Sequence, residues 1–362
     1  TAPKRKRGAS TASAAMKGAK AGRGAAVPAR RLDDRGMGMP RRKYLKASSV
    51  KQPTLVKYKA AVGEFFLWSK SNSKYLGSIS AVDKAMVLFF TDLCEDARPY
   101  NNASYCLYGW LCLKADEDAA DKALLNRARG ALKGWRSRFP GSSRFPVALA
   151  IFDLFALFFC EIFEFEAAAA VIIQVDGYLR PSEAVDLIGA DVIKPVPFLS
   201  AHVWGVILGN ASQGKVTKTG QIDDTVLFNT PSRLDTNAVM RAVADRRTGT
   251  PLRLFPTLSL ARYEALFRRA SKHFGLEKLR ITPHCARHSA PSQDVATKER
   301  SIEEVQARGR WLCSKSVQRY RKPGRLLQRT AEIPSAVLTR AHNARPTVIA
   351  ALTSRIWSSR PG

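Results

Sequence analysis

One stretch of the chain limits its fold more than any other, the apolar segment from Val147 to Val175. A segment this apolar and this long fits either a lipid bilayer or the interior of a helical domain. Four carboxylates interrupt it, and a membrane-spanning helix would not carry so many charges. They are Asp153, Glu161, Glu164 and Glu166. The segment therefore predicts two core helices, at about 147–162 and 165–175.

The chain before this core predicts a small helical domain. Apolar residues recur there at helical spacing in four segments, and Thr54 is expected to cap the first of them. The other three helices are predicted at about 82–93, 103–113 and 118–135. The last of these carries basic residues on its outer face, namely Arg127, Arg129, Lys133 and Arg136. A Pro- and Gly-containing segment from Phe139 to Pro146 predicts a linker, so residues 51–139 are expected to form one domain.

The chain after this core predicts a mixed domain. Residues 202–230 are rich in Val, Ile and Thr punctuated by Gly, which favours β-hairpins. Helical spacing resumes near Thr236 and continues to about residue 331. The expected fold class is therefore mainly α with a small antiparallel β-sheet (α+β). Residues 145–335 are expected to form this second domain, and residues 336–362 a C-terminal tail.

The charge balance is the strongest bulk property. The 362 residues include 59 Lys and Arg against 30 Asp and Glu, a formal net charge of +29. Such a field attracts polyanions, of which nucleic acid is the usual soluble example. Residues 1–50 hold 14 Lys or Arg and 2 acids, a net +12, which leaves +17 (29 − 12) for the body. The folded part is therefore itself expected to attract nucleic acid.

Two features bear on the compartment. Residues 1–48 have few large apolar side chains and predict a disordered tail, in which Pro3-Lys4-Arg5-Lys6-Arg7 is typical of a nuclear-import signal. A phosphate-binding arm is the alternative interpretation, and the two are compatible. The six cysteines are scattered without a CxxC pair, which disfavours a disulfide framework or a zinc site and suits a reducing, intracellular protein. The predicted location is the nucleus.

The motifs that could carry chemistry occur in order along the second domain. The first is Tyr178-Leu179-Arg180-Pro181-Ser182-Glu183, and the second is Thr217-Lys218-Thr219-Gly220 in a predicted hairpin. The third is Thr282-Pro283-His284-Cys285-Ala286-Arg287-His288, where His284 and Arg287 share a helix face. The fourth is Gly309-Arg310-Trp311, followed by Tyr320 nine residues after Trp311. An imidazole beside a guanidinium suits binding a phosphate while moving a proton.

Together these motifs resemble the tyrosine recombinase (phage integrase) family, and in detail the recombinases of eukaryotic mobile elements. The family has the pattern HxxR, a glycine followed closely by His or Trp, and a tyrosine nine residues later. The resemblance covers about residues 50–335. It implies that residues 51–139 are a DNA-binding core-binding domain and that residues 145–335 are the catalytic domain. The implied activity is site-specific recombination or integration of DNA.

The resemblance also implies a role for each matching residue. Arg180 and Arg287 would bind the non-bridging oxygens of the scissile phosphate, and His284 would serve in proton transfer. Trp311 stands where many relatives have His, so it would position the phosphate rather than exchange protons. Lys218 would protonate the leaving 5′ oxygen, with Lys215 as the alternative.

Tyr320 would be the nucleophile that forms a 3′-phosphotyrosine, with Tyr263 as the next candidate. Glu183 would orient the cations. His288 is expected to support the site as a helix-capping or core contact rather than as a catalyst. No cofactor or metal is implied.

Three alternatives remain at this point. The first is an inactive, domesticated DNA-binding relic, and the second is a type IB topoisomerase-like enzyme. The topoisomerase pattern Ser-Lys-x-x-Tyr is only partly present, because Lys315 lies five residues before Tyr320 where three are wanted. The third is a basic chromatin or RNA-binding protein, which would not need the ordered motifs.

The expected partner is double-stranded DNA held between the two domains, with a homotetramer on paired sites and no membrane. Apolar residues after the nucleophile are expected either to dock on a neighbouring protomer or to pack within their own chain. They are Leu326, Leu327, Ile333, Val337 and Leu338.

Overall fold

A computed structural model of the protein describes most of the chain from residue 50 onward. The described residues are 50–113, 125–140, 144–198, 202–210, 224–318, 320–355 and 357. The tail and the import signal predicted for residues 1–48 therefore lie outside the described residues. The chain divides into two compact units, Thr1–Gly141 and Ser142–Gly362. The predicted fold class is confirmed: the described residues are mainly helical, with one three-stranded antiparallel sheet.

The first unit contains four described helices. They are α1 (Gln52–Ser71), α2 (Ile79–Glu95), α3 (Tyr100–Leu113) and α4 (Asn126–Arg138). The prediction that Thr54 caps the first helix is wrong, because the helix begins two residues earlier and Thr54 lies in its first turn, donating its N–H to the carbonyl of Lys51. Pro53 fits this turn because it needs no N–H there.

An aromatic core holds the first unit together. Phe65 is fully buried, and its ring lies 5.5 Å from that of Phe89 and 5.9 Å from that of Trp110. Asp83 on α2 accepts the N–H groups of Arg127 and Ala128 and so caps α4 from a neighbouring helix. Sequence spacing placed the start of this helix at about 118. Residues 118–124 lie outside the described residues, and the described helix begins at Asn126, next to this tertiary cap. Its predicted basic residues are all exposed.

The second unit contains eleven described helices, three short 3₁₀ turns and the sheet. The helices are α5 (Ala150–Glu161), α6 (Phe165–Asp176), α7 (Pro181–Val185), α8 (Thr236–Ala244), α9 (Leu260–His273), α10 (Pro283–Ala296), α11 (Ile302–Gly309), α12 (Ser314–Gln318), α13 (Pro323–Ala331), α14 (Ser335–His342) and α15 (Ala344–Ser354). The strands are β1 (Val192–Ile193), β2 (Gly205–Leu208) and β3 (Asp224–Leu227).

The two helices predicted from the apolar segment form the centre of this unit. Every residue of α6 from Ala167 to Asp176 is buried, and α5 packs against it. Fully buried Phe155 on α5 meets Phe267 of α9 edge to face at 5.4 Å. Among the described residues, no helix combines the length and the apolar character that crossing a membrane requires.

The sheet runs in the order β1–β2–β3, and both pairs are antiparallel. Val206 on the central strand pairs with Val192 on one side and Val226 on the other. The predictions of β2 and β3 are confirmed, while β1 was not predicted because a two-residue strand leaves no alternating pattern. The segment 211–223, which was predicted as part of a hairpin and contains Lys215 and Lys218, lies outside the described residues.

The C-terminal boundary differs from the predicted one. Residues 336–362 were expected to form a tail, but α14 and α15 lie there, and Val348, Leu352 and Trp357 are buried in the core of the second unit. Arg345 on α15 joins Asp153 of α5, at 3.0 Å, to Asp235. Four of the five apolar residues considered for docking on a neighbouring protomer are buried in, or pack against, their own unit. They are Leu326, Ile333, Val337 and Leu338, whereas Leu327 is 68% exposed.

Candidate active site

The third sequence motif lies in the first turns of α10. Thr282 precedes the helix and Pro283 begins it. The Sγ of Cys285 accepts the N–H of Thr282 at 3.4 Å, and Cys285 is buried. The His284 and His288 rings lie 6.1 Å apart on one helix face.

Arg180 and Glu183 lie at the start of α7. Arg180 is the residue before the helix, and its N–H donates to Oε2 of Glu183 at 2.7 Å. The Arg180 guanidinium pairs with the other oxygen of the same carboxylate. Arg180 keeps 17% of its side chain exposed, which makes it the most accessible arginine of the site.

Arg287 is buried completely and is oriented by two backbone carbonyls. One Nη donates to the carbonyl of Tyr178, and the other donates to that of Gly309 at 2.6 Å. Tyr178 and Arg310 have φ values of 48° and 55°, in the left-handed region that costs an L-residue about 1 kcal/mol. These two strained turns supply the carbonyls that hold Arg287, so the backbone strain is located at the site.

Gly309 allows Trp311 to lie against the backbone. A Cβ at Gly309 would come within 2.0 Å of the Trp311 ring, so any side chain there would displace the indole. The ring of Trp311 lies 5.1 Å from the guanidinium carbon of Arg287. Its indole N–H is buried and has no hydrogen-bond acceptor among the described residues, and the same holds for the Nε–H of Arg287.

The ring of Tyr320 is held between two other rings. Trp311 stacks on it at 4.4 Å with an interplanar angle of 24°, and His288 contacts it at 4.6 Å. Ser292 holds the backbone at this point, donating its hydroxyl to the carbonyl of Tyr320 at 2.6 Å and accepting the N–H of Lys322. The Arg287 guanidinium carbon lies 5.9 Å from the Tyr320 ring centre. His288 is therefore a ring contact of the candidate nucleophile rather than a helix cap.

Sequence reasoning missed Arg310, which the structure places inside the site. Its Nη2 lies 2.8 Å from Oε2 of Glu183, and its Nε lies 3.5 Å from a carboxylate oxygen of Asp224 at the start of β3. The only signal in the sequence was its position between Gly309 and Trp311. The described site thus contains three arginines and two carboxylates, a net charge of +1 that matches a single phosphodiester.

The surroundings of Glu183 and Arg287 keep both groups charged. Burial alone would raise the pKa of Glu183, but the charges of Arg310, Arg287 and Arg180 outweigh it and lower that pKa. Burial and the neighbouring charge of Arg310 lower the pKa of Arg287 to about 10, which leaves it cationic at neutral pH. Burial raises the pKa of Asp224, against the opposing effect of Arg310.

The structure brings together Arg180, Glu183, Arg287, Trp311 and Tyr320, with His284 next to His288. Lys218 and its alternative Lys215 lie outside the described residues. Tyr263, the second candidate nucleophile, is buried in the core, where its hydroxyl donates to Gln174 at 2.8 Å and burial raises its pKa well above the usual value. This packing keeps the Tyr263 hydroxyl away from the protein surface, so Tyr263 is excluded as the nucleophile. Trp110 and Trp204 are core residues, as expected.

Within the described residues, no three His, Cys, Asp or Glu side chains come together in a way that could hold a metal. The arrangement can bind one phosphate group with cations and aromatic N–H donors, beside a phenol and two imidazoles. Comparison with models of known protein families and with curated proteins gave no match to this chain. Its function is therefore inferred from the site.

Proposed function

We propose that this protein breaks and rejoins DNA strands through a covalent phosphotyrosine at Tyr320. The observation that carries the proposal is the contact of one half-buried phenol with Trp311, His288 and the buried guanidinium of Arg287. Attack on phosphorus requires at least a nucleophile, here a phenol, and cations beside it that can bind the phosphodiester. The body charge of +17 supports duplex DNA as the substrate.

In this proposal the arginines stabilise the transition state. Arg180 and Arg287 donate to the non-bridging oxygens as negative charge builds on them. The Trp311 indole N–H and the Nε–H of Arg287 add two buried donors that lack acceptors among the described residues. A buried donor without an acceptor costs about 1–3 kcal/mol, so a phosphate oxygen bound there recovers that free energy. Removing one such donor from an enzyme typically slows it about a hundredfold or more.

The chemical step exchanges one phosphate ester for another. The phenol oxygen of Tyr320 bonds to phosphorus, its proton passes to an imidazole of the site, and the bond from phosphorus to the 5′ oxygen breaks. His284 acts in this proton transfer. Lys218, proposed from the sequence motif alone, returns a proton to the leaving oxygen. The products are a 3′-phosphotyrosine and a free 5′-hydroxyl, and reversal rejoins the strand without an external energy source.

A conformational step precedes the chemistry. Arg287 has no exposed side-chain surface, and the Trp311 and Tyr320 rings lie against its guanidinium. A phosphate therefore reaches Arg287 only when these rings move aside. In the free protein, Tyr320 covers Arg287. When DNA binds, a phosphate takes the place of the ring beside Arg287, and Tyr320 attacks that phosphate.

We propose further that recombination or integration of DNA is the biological outcome and that four copies act on two paired sites in the nucleus. Exchange between two duplexes breaks four strands, and each copy supplies one Tyr320. The import-type motif at Pro3–Arg7 supports the location. Sedimentation of the protein on DNA that carries its site tests the assembly, and particles with a single copy would contradict it.

The direct test uses DNA that traps the intermediate. A pool of duplexes with randomised sequence and frequent nicks lets the short cleaved strand diffuse away, which leaves the protein attached. We expect a covalent protein–DNA species with the native chain and none with Tyr320→Phe, although both bind DNA. Binding without any covalent species from the native chain would favour the DNA-binding relic instead.

The role of Lys218 is tested by changing the leaving group. A thiolate leaves without protonation because thiols ionise near pH 8.5, far below alcohols. Lys218→Ala should slow cleavage of ordinary DNA about a hundredfold or more, and replacement of the bridging 5′ oxygen by sulfur should restore the rate. Tyr320→Phe and Arg287→Ala should stay impaired on both substrates. Rescue of Lys215→Ala instead of Lys218→Ala would assign the acid to Lys215.

A further inference from the structure

Arg310 enters the site without matching any predicted catalytic position. We propose that it is a positioning residue that neutralises Glu183 and joins it to β3, so that Arg180 and Arg287 stay available for the phosphate. This inference rests on the proposed function and assigns a role that the sequence motifs did not.

The carboxylate of Glu183 is the point where three guanidinium groups meet. Arg180 pairs with one oxygen, Arg310 lies 2.8 Å from the other, and a nitrogen of Arg287 lies 3.8 Å from that second oxygen. Glu183 is therefore a competitor for the same cations that a phosphate needs. Arg310 alone of the three combines a short contact to Glu183 with near-complete burial, because Arg180 is 17% exposed and Arg287 lies 3.8 Å from the carboxylate.

The guanidinium of Arg310 is directed at groups of its own chain. Only 2% of its side chain is exposed, and its three nitrogens face Glu183, Asp224 and the carbonyl of Arg308. Its backbone is left-handed with φ 55°, a conformation that glycine adopts without cost. The chain thus holds a strained arginine at this position, and its charge is directed entirely at two carboxylates.

Removal of Arg310 should allow Glu183 to compete with the phosphate for Arg180 and Arg287. A buried carboxylate that loses its partner draws on the remaining cations, here Arg180 and Arg287. Those two would then be less available to DNA. Removing the carboxylate of Glu183 as well should leave Arg180 and Arg287 available to DNA again. The losses of DNA affinity caused by changes at positions 310 and 183 should therefore not be additive.

The first measurement is the affinity for duplex DNA in a Tyr320→Phe background, where no covalent step intervenes. Arg310→Gln should weaken binding about tenfold, and the double variant with Glu183→Gln should recover most of that loss. Arg310→Lys keeps a charge beside Glu183 and should stay within about threefold of the parent. Thermal unfolding of each variant reports whether it folds. If Arg310→Gln alone does not fold, the double variant still tests the inference.

Two controls separate this role from simpler ones. Asp186→Asn combined with Arg310→Gln restores the net charge without touching Glu183, because Asp186 is exposed and pairs with Arg253. It should bind as weakly as Arg310→Gln. Arg345→Gln removes another arginine that bridges two carboxylates, and it should lower stability without changing DNA affinity.

If Asp186→Asn restored the DNA affinity of Arg310→Gln as well as Glu183→Gln does, only net charge would matter. If Glu183→Gln restored none of that affinity, Arg310 would contact DNA itself. Either result overturns the inference. The rate of covalent adduct formation in the Tyr320-containing variants should follow the same order. If the native chain forms no adduct while the affinity pattern holds, the proposed function fails and the role of Arg310 stands.

Discussion

Tyr320 is constrained at its ring, its carbonyl and its N–H. The rings of His288 and Trp311 hold its ring, the Ser292 hydroxyl donates to its carbonyl, and its own N–H donates to the carbonyl of Val317 at 2.8 Å. The ring also covers Arg287. At the scale of single residues, we therefore propose that the candidate nucleophile has a second function, which is to shield the cation proposed to bind the phosphate until DNA binds.

This shielding predicts opposite effects for two substitutions of Tyr320. Tyr320→Phe keeps the ring over Arg287 and should bind DNA like the native chain. Tyr320→Ala uncovers Arg287, and because a cation–π contact is worth about 1 kcal/mol, it should bind DNA about fivefold more tightly. Equilibrium titration at fixed salt measures both. Equal affinities for the two variants would show that the ring does not limit access to Arg287.

The sequence predicted which residues meet in the candidate site better than it predicted their contacts. Arg180, Arg287, Trp311 and Tyr320 follow from motif spacing because each motif is local. The role of Arg310 does not, since its partners Glu183 and Asp224 lie 127 and 86 positions earlier and only the fold brings them close. The contact of His288 with Tyr320 was missed for the same reason.

At the scale of elements, the C-terminal helices belong to the core of the second unit. Seven of the 23 residues in the segment 335–357 are Val, Leu, Ile or Trp, so its sequence is compatible with packed helices rather than a tail. The helix α5 supplies the apolar surface against which both helices pack. The predicted helices α5, α6, α9 and α10 carry their own hydrophobic spacing and are confirmed. Truncation after Arg325 would remove buried residues, so it should destabilise the unit rather than only its assembly.

A pair of leucines tests this packing. Leu352 on α15 is fully buried, and Leu327 on α13 is 68% exposed. Leu352→Ala should lower the free energy of unfolding by about 3 kcal/mol because it leaves a cavity in the core. Leu327→Ala makes the same chemical change at the surface and should cost no more than about 0.5 kcal/mol. Denaturant unfolding compares the two, and similar losses would contradict the assignment of α15 to the core.

At the scale of the whole molecule, the charge of the chain suits the substrate of the proposed function. Beyond residue 50 the chain keeps a net +17, and α4 in the first unit exposes Arg127, Arg129, Lys133 and Arg136. A surface of this kind binds phosphates in any sequence, and in the proposed function the site around Tyr320 acts on one of them.

This charge predicts a steep dependence of DNA affinity on salt. Neutralising about six phosphates should lower the affinity about a thousandfold between 50 and 200 mM salt. A chain that begins at residue 49 should bind more weakly and show a smaller slope, yet still form the covalent species. Titration by fluorescence anisotropy measures the slope, and a flat response would be inconsistent with binding through phosphates.

The most direct test of the account identifies the residue that carries DNA. The covalent species from nicked duplexes would be digested with protease and nuclease, and the remaining nucleotide-bearing peptide sequenced by mass spectrometry. The account predicts a single peptide in which Tyr320 is joined to a 3′-phosphate. A nucleotide on any other residue, or on a 5′-phosphate, would contradict the assignment of Tyr320 as the nucleophile.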